Sequence, residues 1–246
     1  VDYSVSANAL KDKVILVTGA GAGIGKQAAM SFAEHGATVI LLGRTVKKLE
    51  HTYDEIVEAG YSQPAIVPLD MKGATKQNYI DMADTIRTQF GRLDGVLHNA
   101  SILGVISPFA QIGEDSFDDV MQVNVKAQFL MTQALLPLLL ESEDARVTFT
   151  TSTVGHSGRA YWGTYAMSKF ATKGMMQVLA DELTDSPVRV NAINPGGTRT
   201  GMRAKAFPAE DVELLKTPKD IIPLYLYLMA PEGKDIHGQC IDAQPK

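Results

Sequence analysis

Seven short apolar runs recur along the chain, separated by longer stretches of helical period. The runs are VILVTG from Val14, ATVILLG from Ala37, AIVPLD from Ala65, LDGVLHN from Leu93, RVTFTTS from Arg146, VRVNAINP from Val188 and GQCIDA from Gly238. The first of them are apolar throughout instead of alternating, as in strands covered on both faces. The segments between carry stripes. Ile24, Ala28 and Phe32 share one helical face; so do Val46, Leu49, Tyr53 and Ile56, and so do Tyr79, Met82, Ala83, Ile86 and Phe90. In TPKD, Thr217 stands at an N-cap, Pro218 at the first helical position and Asp220 in the first turn. Strand–helix alternation of this kind builds βαβ units with right-handed crossovers. The predicted fold is therefore α/β: one doubly wound domain over 1–246, with a parallel sheet of about seven strands and helices on both faces. No long linker, internal repeat or low-complexity segment interrupts it.

Charge and residue usage narrow the function classes. With 23 basic and 28 acidic residues the net charge is −5, which offers no electrostatic argument for nucleic acid or an anionic membrane. The single cysteine, Cys240, allows no intrachain disulfide and reads as a small buried hydrophobe, consistent with a reducing compartment. The five histidines are scattered and show no zinc spacing, so no metal is expected. The longest apolar run, Ala134 to Leu140, is interrupted by Pro137 and falls well short of the roughly 18 residues of a membrane span. The opening VDYSVSANALKDK has no apolar signal-peptide core, and the expected location is cytoplasmic.

TGAGAGIG, from Thr18 to Gly25, follows a strand pattern and opens a helical one. Glycines there let the backbone turn tightly and approach a pyrophosphate, which then sits on the helix N-terminus. A dinucleotide site is the expectation. In NAD-selective sites an acidic residue about 20 positions on accepts from the ribose 2′-OH. Here Gly43 occupies that place and Arg44 follows it. An arginine can pair with a 2′-phosphate, whereas a carboxylate would repel it.

YWGTYAMSK carries Tyr161, Tyr165 and Lys169, each four residues from the next and so on nearly one face of a helix. A free phenol titrates near 10 and is a poor acid at neutral pH unless its anion is stabilised. An ammonium one turn away would do that. Tyr161 lies two turns from the lysine, about 12 Å along an ideal helix, and precedes Gly163. Further upstream, Phe117, Val120, Met121, Asn124, Gln128 and Met131 follow one helical stripe. An amide on an apolar face must find partners, so Asn124 is either a structural amide closing a helix irregularity or part of a site.

Taken in order, these motifs resemble the short-chain dehydrogenase/reductase family over essentially the whole chain. The resemblance rests on TGAGAGIG with Gly19, Gly23 and Gly25 as G-x-x-x-G-x-G, HNAS (98–101), VNV (123–125), Ser152 thirteen residues before Tyr165, Tyr165 and Lys169 as Y-x-x-x-K, and NPGGTRT (194–200). HNASILG, LTDSPVRVNAINPGGTRT and the terminal DAQP are most similar to the bacterial YciK-type oxidoreductases within it.

The resemblance implies a Rossmann fold and a nicotinamide-dependent oxidoreductase. It implies that Tyr165 protonates a carbonyl oxygen while hydride reaches its carbon, that Ser152 bonds the same oxygen, and that Asn124 holds a water in a proton relay through Lys169. It places the cofactor on Gly19, Gly21, Gly23, Ile24 and Gly25, with Asp70 and Met71 at the adenine. Asn99 and Ala100 then line the pocket, beside Tyr165 and Lys169. Pro195, Gly196, Gly197, Thr198 and Thr200 stand at the nicotinamide carboxamide. Arg44 implies NADP(H) in preference to NAD(H), although the second basic residue of many NADP-dependent members is Ala22 here. His98 and Ser101 replace the first asparagine and the glycine of the usual N-N-A-G; His98 reads as a packed strand-end residue.

Substrate contacts are expected from three loops, 102–109, 154–162 and 201–207. Arg159, Arg199 and Arg203 suit either an anionic substrate or plain solvation. The partner is thus a small carbonyl or alcohol, with no nucleic acid and no membrane. A homodimer or homotetramer is implied through the helix bearing the Tyr–Lys pair and the one before it. A different class remains open: a non-catalytic NADP(H)-binding sensor or regulatory protein on the same fold. Tyr161 and Trp162 are expected in the pocket wall or an interface.

Overall fold

The computed structural model describes residues 3–245. Val1 and Asp2, which open the stretch read above for a signal core, lie outside it. Seven strands form one parallel sheet in the order β3-β2-β1-β4-β5-β6-β7. They are β1 (Val14–Thr18), β2 (Thr38–Gly43), β3 (Ala65–Pro68), β4 (Gly95–His98), β5 (Ala145–Thr150), β6 (Val188–Asn194) and β7 (Cys240–Asp242). The chain runs outward from β1 to β3, then crosses back to lay β4 on the other side of β1. That reversal opens a crevice beyond the carboxyl ends of β1 and β4, where ligands of open α/β sheets bind.

Alternate strand residues face two separate cores. Val14 and Leu16 point to one, packed by Tyr79 and Met82 of α3 (Lys76–Phe90), Met131 and Leu135 of α5 (Ala127–Glu141), and Met176 and Leu179 of α6 (Gly163–Glu182). Ile15 and Val17 point to the other. There they meet Ala28 and Phe32 of α1 (Gly23–Glu34), Leu49 and Ile56 of α2 (Val46–Glu58), and Tyr225 and Leu228 of α8 (Pro218–Met229). Each fully buried side chain of this size contributes about 1.5–3 kcal/mol. Every residue of β1, β4 and β5 is buried, which is why the β1 run is almost continuously apolar, while β5 carries Arg146, Thr148 and Thr150 into the interior.

Helix ends follow local chemistry. Thr217 and Asp220 form the capping box expected at the start of α8, with Oγ1 and N of Thr217 both 2.7 Å from Asp220 Oδ2. The α3 helix begins with a second box, Thr75 and Asn78, and stops at Gly91 in the left-handed region. Four details depart from the sequence reading. Val46 is exposed, because it opens the first turn of α2 and not its packed middle. β3 stops at Pro68, two residues before Asp70. Residues 201–206, read as loop, form a short helix, α7 (Gly201–Ala206).

Pro137 does not break its helix. It lies inside α5, which is continuous through a π-helical segment, Gln122–Lys126, with α4 (Glu114–Met121). By length and composition alone this continuous helix is long and apolar enough to cross a membrane, and half of its most apolar window is buried inside the protein.

At the amino ends of the strands a charged cluster closes the sheet. Asp94 is buried; it accepts from Val14 N at 2.9 Å, from Arg92 Nε and Nη2 at 2.8 and 2.7 Å, and from Ser142 Oγ at 2.7 Å. Burial alone would raise its pKa; Arg92 and the other donors outweigh that and hold the carboxyl below its ordinary value. Arg146, fully buried on β5, donates its backbone N–H to Asp94 O at 2.9 Å and pairs through its side chain with Asp144.

Candidate active site

The loop after β1 is built for close approach. Gly19 and Gly23 have φ of +70° and +56°, in the left-handed region that favours glycine. A Cβ on Gly25 would stand 2.4 Å from Gly19 O, and one on Gly21 2.8 Å from Lys48 Cβ. Ala22, the N-cap of α1, supplies no side-chain acceptor, and no acidic residue sits in the first turn. The first N–H groups of α1 and its positive end are therefore bare toward the crevice, with Ile24 in that first turn. These residues fit a dinucleotide pyrophosphate.

Thr18 ties the two strands of the crevice together. Its Oγ1 donates to Leu97 O at 3.2 Å and accepts from Asn99 N and Ala100 N, both at 2.9 Å. Asn99 Nδ2 returns a bond to Thr18 O at 3.3 Å. Arg44, at the end of β2, is exposed and has no ion pair among the described residues. Asp70 is exposed and accepts from Lys72 N at 3.1 Å, while Met71 beside it is buried.

The segment after β6 is shaped by a residue the sequence reading did not single out. Gln244 donates to Pro195 O at 2.8 Å and to Gly197 O at 3.0 Å, next to Gly196 at φ +68°. Thr198 is buried and bonded to Pro195 O. Thr200 caps α7 through Arg203 N at 3.2 Å, and its methyl carbon lies against Gly23.

α6 brings Tyr165 and Lys169 one turn apart, both buried, and Ser152 follows the end of β5. Burial pushes the Tyr165 phenol up to about 12, against the opposing pull of hydrogen bonding by the Ser101 and Ser152 hydroxyls. Burial pulls Lys169 down to about 8. The lysine does not touch the phenol oxygen. Its Nζ donates to Thr150 O at 2.8 Å and lies 5.5 Å from the Tyr165 ring centroid, over the ring face. Tyr161 is outside the helix, exposed, at φ +75°.

Asn124 sits in the π-helical segment with no exposed surface. Its Oδ1 accepts from Ile102 N at 2.8 Å; its Nδ2 donates to Ile102 O at 2.9 Å and Ser168 Oγ at 3.0 Å. Both amide protons are thus engaged, and the side chain braces the β4 exit loop against α6. The apolar stripe and the helix irregularity have one cause, since a widened turn lets the amide reach that loop. His98 is a packed strand-end residue, stacked on Phe149 and bonded to Thr132 Oγ1 at 2.9 Å; burial pulls its pKa down to about 3.

Leu103, Val154, Trp162 and Met202 pack around Tyr165, so all three anticipated loops reach it. Met202 Sδ is 3.9 Å from the phenol oxygen, and the Trp162 ring stands 5.8 Å from the Tyr165 ring and 5.6 Å from Phe207. The arginines are neither free nor simply solvated. Arg203 forks onto Glu210 at 2.6 and 2.5 Å and covers the Phe207 ring; Arg199 pairs with Glu213; the Arg159 guanidinium lies 5.4 Å from the centroid of the same Phe207 ring. Cys240, read as buried, is half-buried with Sγ 3.3 Å from His156 Nε2.

A family model described as short chain dehydrogenase matches residues 13–211. The chain belongs to the short-chain dehydrogenase family. Its oxidoreductase relatives include the uncharacterised oxidoreductase YciK of Escherichia coli strain K12, 54% identical over 243 residues, covering 99% of this chain and 96% of that one. The 3-oxoacyl-[acyl-carrier-protein] reductase FabG of Thermotoga maritima is 30% identical over 94% of this chain and 96% of its own. A short chain dehydrogenase of Shigella flexneri 2a strain 301, solved as a complex with NADP, superposes with a TM-score of 0.95 at 53% identity, covering 98% of this chain and all of that one. The protein is thus a short-chain dehydrogenase-type oxidoreductase with the seven-stranded parallel sheet and two helical layers of that fold.

Proposed function

We propose that this short-chain dehydrogenase uses NADP(H) to interconvert a small carbonyl and its alcohol, with Tyr165 as general acid and base. One observation carries the reading: Ser152, Tyr165 and Lys169 converge at the same end of the sheet as the glycine cradle. When bound, the nicotinamide supplies or accepts the hydride at the substrate carbon. Tyr165 gives its phenolic proton to the carbonyl oxygen in reduction and takes it back in oxidation. The phenol is protonated at neutral pH, the form reduction needs, and burial strengthens its hold on the proton. Ser152 donates to the same oxygen as negative charge develops there. The Lys169 ammonium over the ring face favours the phenolate once the proton has left. Asn124 positions both the helix and the loop opposite.

Gly19, Gly21, Gly23, Ile24 and Gly25 would hold the pyrophosphate, and Asp70 with Met71 the adenine. Asn99, Ala100 and the 195–200 segment would line the nicotinamide end. Arg44 would hold the 2′-phosphate; its lack of a carboxylate partner and the NADP complex of the Shigella relative both support NADP(H) over NAD(H). The apolar wall of Leu103, Val154, Trp162 and Met202 suits a substrate with an apolar body beside its carbonyl. Fluorescence titration with NADPH and NADH, followed by a carbonyl and alcohol panel, tests the reading. Tight NADPH binding with no turnover would favour a sensor, and tighter NADH binding would remove the Arg44 argument.

The assembly follows from two helices. Phe129 on α5 and Phe170 and Val178 on α6 are 50%, 46% and 60% exposed, an apolar face suited to a second copy. A homodimer or homotetramer is expected by light scattering; a clean monomer would contradict it.

A further inference from the structure

We propose that Gln244 is a positioning residue for the nicotinamide half of the cofactor, a clamp that holds the 195–198 turn in its binding shape before the cofactor arrives; this rests on that segment lining the nicotinamide end. The segment lies between the two parts of the site. The Thr200 methyl would stand 3.4 Å from a Cβ on Gly23 of the glycine cradle, and two residues on Met202 Sδ is 3.9 Å from the Tyr165 phenol oxygen. Beyond Pro195 the turn is loose in itself. Gly196, at φ +68°, and Gly197 follow, and glycines lose the most conformational freedom when a chain is ordered.

Order is supplied by the edge strand. β7 pairs with β6 in a register that sets Asp242 opposite Asn194. Asp242 Oδ1 accepts from Asn194 Nδ2 at 2.8 Å, and Ala243 N donates to Asn194 O at 2.9 Å. Two residues past that register pair, Gln244 meets Gly196: a Cβ on the glycine would stand 3.1 Å from Gln244 Nε2 and 3.3 Å from its Cβ. The amide then uses both of its N–H donors, with Nε2 2.8 Å from Pro195 O and 3.0 Å from Gly197 O. Those two carbonyls fix which way the amide faces, since its own oxygen cannot donate to them. With Pro195 O and Gly197 O turned onto Gln244, the N–H groups of Gly197 and Thr198 carry no hydrogen bond among the described residues. They are the donors left for a carboxamide oxygen. A turn ordered in advance spares the cofactor the cost of ordering it, so the clamp acts on affinity for the nicotinamide half and not for the adenosine half.

The test compares two ligands by calorimetry on the full chain: NADP⁺, and adenosine 2′,5′-bisphosphate, which has the adenine, ribose and 2′-phosphate but no nicotinamide. Gln244→Met keeps the length of the side chain and removes both donors; Gln244→Ala removes the packing as well. Both variants should bind NADP⁺ about 5–30-fold more weakly than wild type, the worth of one or two hydrogen bonds, and the bisphosphate within about twofold. The emission of saturating NADPH, which reports how the nicotinamide ring is held, should move toward that of the free cofactor. A glutamine that only tied down its own strand would, on removal, weaken both ligands alike or neither, and either result overturns the proposal. A wild type that binds neither ligand would defeat the NADP(H) reading and the clamp with it; a wild type that binds both, beside variants that match it, defeats the clamp alone.

Discussion

The two ends of the sheet bury ionisable groups in opposite ways. At the amino ends, Asp94 meets a guanidinium, a hydroxyl and a backbone N–H, and its carboxyl is held charged despite burial. At the carboxyl ends, Tyr165 and Lys169 have no counter-ion among the described residues, and burial pushes each toward its neutral form, to about 12 and about 8. A buried charge with satisfied partners serves structure; removing a partner leaves desolvated groups behind. Buried titratable groups without opposite charges are poised to change protonation when a reacting oxygen arrives. The difference separates the end that keeps the fold from the end that does chemistry.

The sharpest way to break this contrast is to change one residue at each end. Tyr165→Phe removes only an oxygen and should lower kcat by about 10²–10⁴-fold. Its NADPH fluorescence titration and melting temperature should stay near wild type. Asp94→Ala should do the reverse. It orphans Val14 N and Ser142 Oγ and should destabilise the protein by about 3 kcal/mol, a fall of roughly 6–12 °C in Tm by calorimetry. At 25 °C the folded fraction should keep its kcat. A Tyr165→Phe protein that melts early, or an Asp94→Ala protein that folds but turns over poorly, would erase the distinction.

The carboxyl end was the more legible of the two in the sequence. Its glycines, Ser152, Tyr165 and Lys169 lie in local motifs whose spacing reflects one turn or one helix. The Asp94 cluster was not legible, because Lys13, Arg92, Asp94 and Ser142 come from three distant segments joined only by the sheet. For the same reason the brace by Asn124 was only half legible: its apolar stripe is visible, but its partners Ile102 and Ser168 lie on a loop and a helix far along the chain. Residues 201–206 read as loop because six residues are too short to display a helical period. The Thr200 hydroxyl that caps them was instead read only as a cofactor contact. The first two strands were easy because burial of their central residues makes VILVT and TVILLG almost wholly apolar.

Arg44 tests the crevice at its outer edge. Arg44→Ala should weaken NADPH binding by about 10–100-fold, the worth of one or two charge-assisted hydrogen bonds to a phosphate, and leave NADH binding nearly unchanged. Fluorescence titrations with the two cofactors read the ratio directly. Equal weakening of both would mean that Arg44 supports the loop and not the phosphate.

The smallest expected effect comes from His98, which is buried neutral at the carboxyl end and so belongs, by its pairing with Thr132, to neither pattern. Its folded pKa, about 3, lies below the ordinary 6.5. Between those values the unfolded chain binds a proton that the folded protein refuses, so stability falls as pH drops below 6.5 and goes on falling toward 3. One unit below 6.5 the loss should be about 1.4 kcal/mol from this group. Urea unfolding at a series of pH values in wild type and His98→Asn, the residue usual in the family motif, isolates it, because every other titration is common to both proteins. The variant should lose that share of the slope whatever its stability at pH 7. Identical slopes would mean that His98 takes up its proton in the folded state, and that the packing of its ring on Phe149 tolerates a charge.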